Sequence, residues 1–454
     1  MVIGEPPLER VYHLGSGDCR WDKGTIPFQI VQVLRDGLFF SRGWGHFGYD
    51  RIAALRVDDY PLTSQRYYSG LSSDRRICRE IRQLMRVKQY GVIPEFMLSS
   101  HVLTRAGELV GVEKIVPLAV KALQKLCHEG SITVGAHGRS HLDERQYREG
   151  GKVGAAEFAH LPADEARVHL EDNIAWINRV FGVAPRSFVA PAWATSLGAK
   201  EVACRLFDYV CESEQKLEAG QSELFSQECA SGCLILPETV RATSSSIDLA
   251  SEGLWRAVFD AGIPAHFLAH GPYLFNPLGS KGRQWSMAAA AAAVVGAATM
   301  ANCLSGPVAG IGAFAALAAC LYVGRHFGGD LLRFTLATRA KWRRCMLEQV
   351  VVVASRAGAT WLPLTNLGRL ARAYNRMTIV RAGQVREHRS IEWTNTTALP
   401  PGIAYFVPQH VVKPVLDGRT VPGPIAGAIS LGTLHTGPHR LDYVLPDGFP
   451  DRGA

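Results

Sequence analysis

The chain has 454 residues, of which 47% are apolar and 20% charged, and it carries a net charge of +8. That length exceeds one ordinary core, and that composition excludes a disordered chain, so two domains with an insertion are expected. The positive excess is scattered arginine rather than one basic run, which suits an anionic surface such as lipid headgroups and gives no support to a nucleic-acid partner.

Residues 1–50 are a glycine- and aromatic-rich lead-in with one expected strand at 27–34. The first fifteen residues lack a basic region followed by an apolar one, so no signal peptide is expected. From 51 onward the text alternates. "IAALRVD" at 52–58 reads as a buried strand, 74–90 as a helix, "IPEFMLSS" at 93–100 as a strand and 112–128 as a helix. "SITVGAH" at 131–137 is a further strand, and 163–181 is an amphipathic helix with Asp164 near its start. A strand at "PRSFVAP", a helix at 196–207, and strands at "FDYVCES" and at 265–271 continue the pattern. Such alternation predicts an α/β fold on a parallel sheet, open or closed into a barrel, with chemistry at the C-terminal strand ends.

Residues 284–324 carry no formal charge. Two alanine-rich halves, 287–303 and 308–323, flank "SGP", and each approaches the ~17–20 residues that cross a bilayer. The expectation is an apolar helical hairpin making membrane contact through 287–323, with arginines and lysines on both flanks keeping its ends, and the folded domain, on the cytoplasmic side. The competing expectation is a pair of helices buried against protein, in a soluble cytoplasmic molecule. Beyond the run, 341–357 is helical, 359–368 a strand and turn, and 370–375 a short helix. From 377 to 446 short strands cut by proline and glycine predict a small all-β domain, where Trp393, Tyr405 and Phe406 serve either a core or a sugar-stacking surface. The domain boundaries expected are 1–50, 51–375 with 284–324 inserted, and 376–454. The ten cysteines form no metal ribbon and read as reduced and mostly buried, although Cys229 and Cys233 in "CASGC" could be bridged in an oxidising compartment.

Four short stretches fall at strand ends: "RVDDYP", "GAHGRSH", "FVAPAW" and "FLAHG". His137 and His141 lie four apart where a strand opens into a turn, a spacing that lets both imidazoles face one point. One carboxylate from the pair Asp58–Asp59 completes a two-His, one-Asp set for a divalent metal with open positions. The cation offsets the repulsion between neighbouring carboxylates, and the second aspartate stays free as a base.

These residues resemble the motifs of the polysaccharide deacetylases, the NodB-homology family of carbohydrate esterases. "VDDYP" is similar to the family's aspartate pair, "HGRSH" to its His-x-x-x-His motif, "FVAPAW" to its groove-wall proline motif and "FLAHG" to its late histidine. The resemblance covers about 50–370 apart from the apolar run. It implies a distorted (β/α) barrel that removes acetyl groups from N-acetylated sugars with zinc, or with cobalt, nickel or manganese. It further implies Asp58 as base, Asp59, His137 and His141 as metal ligands, and His270 as acid. Leu268 would receive the acetyl methyl, Pro191 and Trp193 would form the groove wall, and the Tyr60 backbone N–H would hold the oxyanion. Where the family places glycine the chain has Tyr60–Pro61, and where it places an arginine beside the groove proline the chain has Val189. Arg56, two residues from Asp58 on one strand and so on the same face, is the candidate replacement. The family's fourth motif has no clear counterpart, with Glu212 and Glu214 as candidates. The hairpin extends the expected substrates to a lipid-linked sugar. Two alternatives stand beside this reading: a barrel with a lost site that only binds glycan or scaffolds an assembly, and an O-acetyl esterase or deformylase on the same metal site.

Overall fold

Ile52–Tyr60 is buried along almost its whole length, which requires a strand covered on both faces. Its residues alternate between two surroundings. Ala53, Leu55 and Val57 join the core beneath the helices, whereas Ile52 and Ala54 join a second core. Arg56 and Asp58 continue the second face. The molecule is a computed structural model describing residues 45–68, 73–150, 156–213, 226–241, 252–270, 346–407, 411–425 and 427–446. The expected strand at 27–34 and the apolar run at 284–324 lie outside the described residues.

Seven parallel strands make the main sheet: β1 (Ile52–Tyr60), β2 (Glu95–Leu98), β3 (Thr133–Ala136), β4 (Ser187–Val189), β5 (Tyr209–Ser213), β6 (Leu234–Glu238) and β7 (Ala265–His270). Their order is β7-β1-β2-β3-β4-β5-β6. Val240–Arg241, directly after β6, pairs with β7 and brings the two ends of the sheet together. The sheet is thus a nearly closed, distorted (β/α) barrel. Its interior is crowded. A side chain at Gly135 on β3 would collide with Ser187, Met97 and Glu95, so only glycine fits there.

Helices cover the outside. Ala163–Phe181 has Asp164 and Glu165 in its first turn, buries Ala166, Leu170, Trp176 and Ile177 on one face, and ends at Gly182 with a φ of 71°. Leu197–Leu206 is capped by Ser196, whose side chain accepts the Ala199 N–H. The helix expected at 112–128 is broken: Val112–Ile115 and Pro117–His128 are separate, with Val116 non-helical at φ −129°. Proline disfavours helical backbone in the residue before it.

Several elements differ from the sequence reading. Of the strand and turn expected at 359–368 only Thr360–Trp361 is extended, and Leu364–Asn375 is one helix that follows Pro363. That helix lays Leu364, Leu367, Leu370 and Ala371 against Ile52, Tyr209 and Leu234 at the N-terminal ends of β1, β5 and β6. Strand β6 and the helix Glu252–Asp260 were not expected at all.

The C-terminal region is all-β, in two sheets. One has five antiparallel strands from Met377–Val385 to Gly437–Val444. The other pairs Ile403–Phe406 with Ala428–Ser430 on one side and with His46–Tyr49, from the lead-in, on the other. Trp393 and Tyr405 are fully buried and Phe406 nearly so, which makes them core residues and removes the sugar-stacking option. Gly402 sits against Ile52 and Leu370, so this region closes the barrel end opposite the C-terminal strand ends. Among the described residues no helix is long and apolar enough to cross a membrane.

Candidate metal centre

Adjacent residues of a regular strand point to opposite faces. At the end of β1 that rule is broken. Asp59 has a left-handed φ of 69°, and the β1–β2 pairing shifts register between Val57 and Tyr60. The bulge leaves Asp58 on the inner face and turns Asp59 toward the loop after β3. Strand β1 ends immediately before Pro61.

That loop holds the two histidines. Gly138 at φ 82° and His141 at φ 71° fold "HGRSH" back on itself, with ring centroids of His137 and His141 5.1 Å apart. One oxygen of Asp59, Oδ1, lies 3.3 Å from His137 Nε2 and 3.1 Å from His141 Nε2. Among the described residues these three form the one group of ligand atoms placed to hold a metal. The hydrogen bonding fits a cation. His137 Nδ1 donates to the Val189 carbonyl at 2.9 Å, so in the neutral ring Nε2 carries a lone pair aimed at the carboxylate. That lone pair and the Asp59 oxygen are two acceptors facing each other, which requires a cation or a proton between them. Burial opposes protonation of His137, but the Asp59 hydrogen bond and the Asp58 and Asp59 charges outweigh it and raise its pKa. The set therefore fits a divalent metal.

Asp58 is fully enclosed by a different partner. Arg56 Nε donates to its Oδ1 at 2.9 Å and Nη2 to its Oδ2 at 3.2 Å. The same Nη2 donates to Glu238 at the end of β6, at 2.9 Å. Burial works against the guanidinium charge, yet the two carboxylates hold it protonated. His266 also faces Arg56, and burial together with that cation pushes its pKa down to about 3, so it stays neutral. Its Nδ1 donates to the Pro237 carbonyl.

The remaining sequence candidates are placed as follows. The backbone of His270 lies opposite Asp58 in the β7–β1 register, and Leu268, fully buried, lies opposite Arg56. Pro191 is buried in the short turn Pro191–Trp193 that follows β4. Tyr60 is buried, with its ring edge-on to Phe96 and the Arg66 guanidinium 5.2 Å above it. Val189 turns its side chain into the second core, and its carbonyl orients His137. Glu212 pairs with Lys200 at 2.9 Å and does not face Arg56; Glu238 does. Glu214 lies outside the described residues.

Sequence reasoning missed Glu157. This fully buried carboxylate accepts the backbone N–H groups of Arg139 (2.9 Å), Ser140 (3.0 Å) and His141 (2.8 Å). It also accepts His169 Nδ1–H at 2.9 Å, and Arg139 donates to the far nitrogen of His169. Burial favours its neutral form, but His169 and the N–H groups prevail and lower its pKa. Glu157 thereby fixes the loop that presents both histidines. Nothing in "AAEFAHL" signals this, because a lone glutamate beside apolar residues has no periodic or spaced partner.

No protein-family model and no curated protein matches the chain. Solved structures do match. A chain from Mycobacterium smegmatis assigned as a polysaccharide deacetylase is 14% identical, with 49% of this chain and 78% of that one covered and a TM-score of 0.33. A peptidoglycan N-acetylglucosamine deacetylase is 14% identical over 75% of this chain and 95% of its own, with a TM-score of 0.33. A CE4 family pseudoenzyme from Bacillus anthracis is 13% identical over 49% and 55%, with a TM-score of 0.28. The chain carries, at the C-terminal strand ends of its own parallel barrel, the ordered aspartate-pair and His-x-x-x-His motifs through which its sequence is similar to the polysaccharide deacetylases.

Proposed function

We propose that the protein is a metal-dependent hydrolase that removes N-acetyl groups from a sugar or polysaccharide. The observation that carries this reading is the meeting of Asp59, His137 and His141 at one point, beside a second carboxylate clamped by Arg56. Asp59 and the two Nε2 atoms would hold the metal, zinc being favoured by the two imidazoles and one carboxylate. When bound, a divalent cation activates water and polarises the acyl carbonyl.

The chain's own residues divide the remaining work. Asp58 takes the water proton as attack begins. Arg56, itself bonded to Glu238, holds that carboxylate at a fixed orientation without blocking both lone pairs of each oxygen. The Tyr60 backbone N–H faces the charge that develops on the carbonyl oxygen. His270, opposite Asp58 in register, delivers a proton to the departing amine, which leaves poorly without one. Leu268 supplies an apolar floor for the acyl methyl, and Pro191 with Trp193 borders the sugar groove. A membrane-bound, lipid-linked sugar is the substrate class that the uncharged run at 284–324 adds to soluble glycans.

Acetate release from a panel of N-acetylated glycans and lipid-linked sugars, measured on protein of known metal content, tests this function. Release by the loaded wild-type chain and none by Asp58→Asn supports it. Metal-loaded wild type that releases no acyl group from any member refutes it.

A further inference from the structure

A second reactive cluster lies away from the metal centre, on the outer side of the barrel. Cys204 comes from the helix Leu197–Leu206, and Cys229 and Cys233 bracket the turn that leads into β6. The turn is closed by the Cys229 N–H on the Cys233 carbonyl at 2.8 Å and the Gly232 N–H on the Cys229 carbonyl at 2.9 Å. Ser231 ties it to the helix by donating to the Cys204 carbonyl at 2.8 Å. The Cys204 and Cys229 sulfurs are 3.7 Å apart, and all three thiols are free. Ala230, Ser231 and Gly232 of the turn are exposed and Cys229 is half-buried, whereas Cys204 is 8% exposed, so solvent meets the pair on the Cys229 side.

We propose that Cys204 and Cys229 are a redox site for peroxides, with Cys204 the attacking thiolate and Cys229 the resolving thiol. The surroundings favour that division. Hydrogen bonding from Cys233 and Cys229, with the nearby Lys200 cation, outweighs burial and brings the Cys204 thiol down to about 7. Burial and the Cys204 charge push Cys229 up to about 11, which keeps it a thiol until it is needed. Lys200 is itself held in place by Glu212 at 2.9 Å. A cation beside a low-pKa thiol with a second sulfur in contact is the environment of oxidisable cysteines.

The chemistry balances with hydrogen peroxide as the oxidant. The Cys204 thiolate donates an electron pair to one peroxide oxygen, the O–O bond breaks, and the leaving hydroxide becomes water with the proton that Cys204 released to solvent on ionising. The resulting sulfenic acid is attacked by the Cys229 sulfur. An S–S bond forms, the S–O bond breaks, and the oxygen departs with the Cys229 proton as a second water. Forming the bond brings the sulfurs from 3.7 Å to the disulfide length of about 2.0 Å across the helix–turn contact. A dithiol reductant reverses the change.

Titration of the full-length protein with hydrogen peroxide, followed by alkylation and non-reducing peptide mapping, tests this. The dose is raised until Cys127, a half-buried thiol whose pKa burial raises, is oxidised. The expected result is a Cys204–Cys229 disulfide below that dose, reversed by dithiothreitol. Cys229→Ser should instead leave a dimedone-reactive sulfenic acid on Cys204, and Cys204→Ser should abolish oxidation of Cys229. A Cys229–Cys233 disulfide, or a Cys204 still reduced when Cys127 has reacted, overturns the proposal. Oxidation of Cys229 that persists in Cys204→Ser also overturns it.

Discussion

Asp58 and Asp59 are neighbours with different partners, and the difference predicts different losses. Asp58→Asn keeps the metal set intact and removes the base, so metal content should be unchanged while turnover falls by roughly 10²- to 10⁴-fold. An active Asp58→Asn chain would remove Asp58 from that role. Glu157 makes the opposite prediction. Glu157→Gln loses the charge that gathers the Arg139, Ser140 and His141 N–H groups, and metal affinity should weaken by roughly 10- to 100-fold in a titration that requires no turnover. Unchanged affinity would show that the loop holds itself. His137 supplies the pH dependence. Its folded pKa is raised, so in the metal-free protein its contribution to stability is fully present below its unfolded value of about 6.5 and is lost as pH rises through the folded value. A metal competes for the same lone pair, so the thermal stabilisation conferred by zinc should grow as pH rises across that window. A zinc-induced shift in Tm that is flat with pH would contradict this. At this scale the ligand pair was legible because His137 and His141 are four apart in sequence. Glu157 and Glu238 were not, because each acts through contacts across a fold that the sequence does not order.

Single elements aim these side chains. The bulge at the end of β1 is the device that brings two consecutive carboxylates to one end of the barrel, and a strand rule alone forbids it. Proline after the aspartates signalled an ending, but the left-handed Asp59 backbone had no sequence mark. Inside the barrel Arg56 joins β1 to β6 through Glu238. Arg56→Met would leave Asp58 and Glu238 buried without their cation, and chemical denaturation should show a loss of about 3–5 kcal/mol. A loss under 1 kcal/mol would mean that water already screens the pair. Helices with strong amphipathic spacing, such as Ala163–Phe181, were read to the residue. Strand β6 was missed because "LILPE" is short, carries a proline and follows a turn, so its apolar run was not distinguishable from a loop packed on the core.

At the scale of the whole molecule, the metal centre and the C-terminal sheets occupy opposite ends of one barrel. Parallel order was legible from strand–helix alternation. The return of His46–Tyr49 to pair with Ile403–Phe406 was not, because a pairing across more than 350 residues leaves no local trace. The central claim is that three side chains from β1 and the loop after β3 share one cation. Elemental analysis of the purified chain by plasma mass spectrometry, after dialysis against zinc-free buffer, tests it most directly. Wild type and Asp58→Asn should each retain a single divalent ion per chain, and Asp59→Ala, His137→Ala and His141→Ala should each lose it. An ion-free wild-type chain that also fails to bind added zinc, or an ion retained by all three ligand variants, would contradict the account.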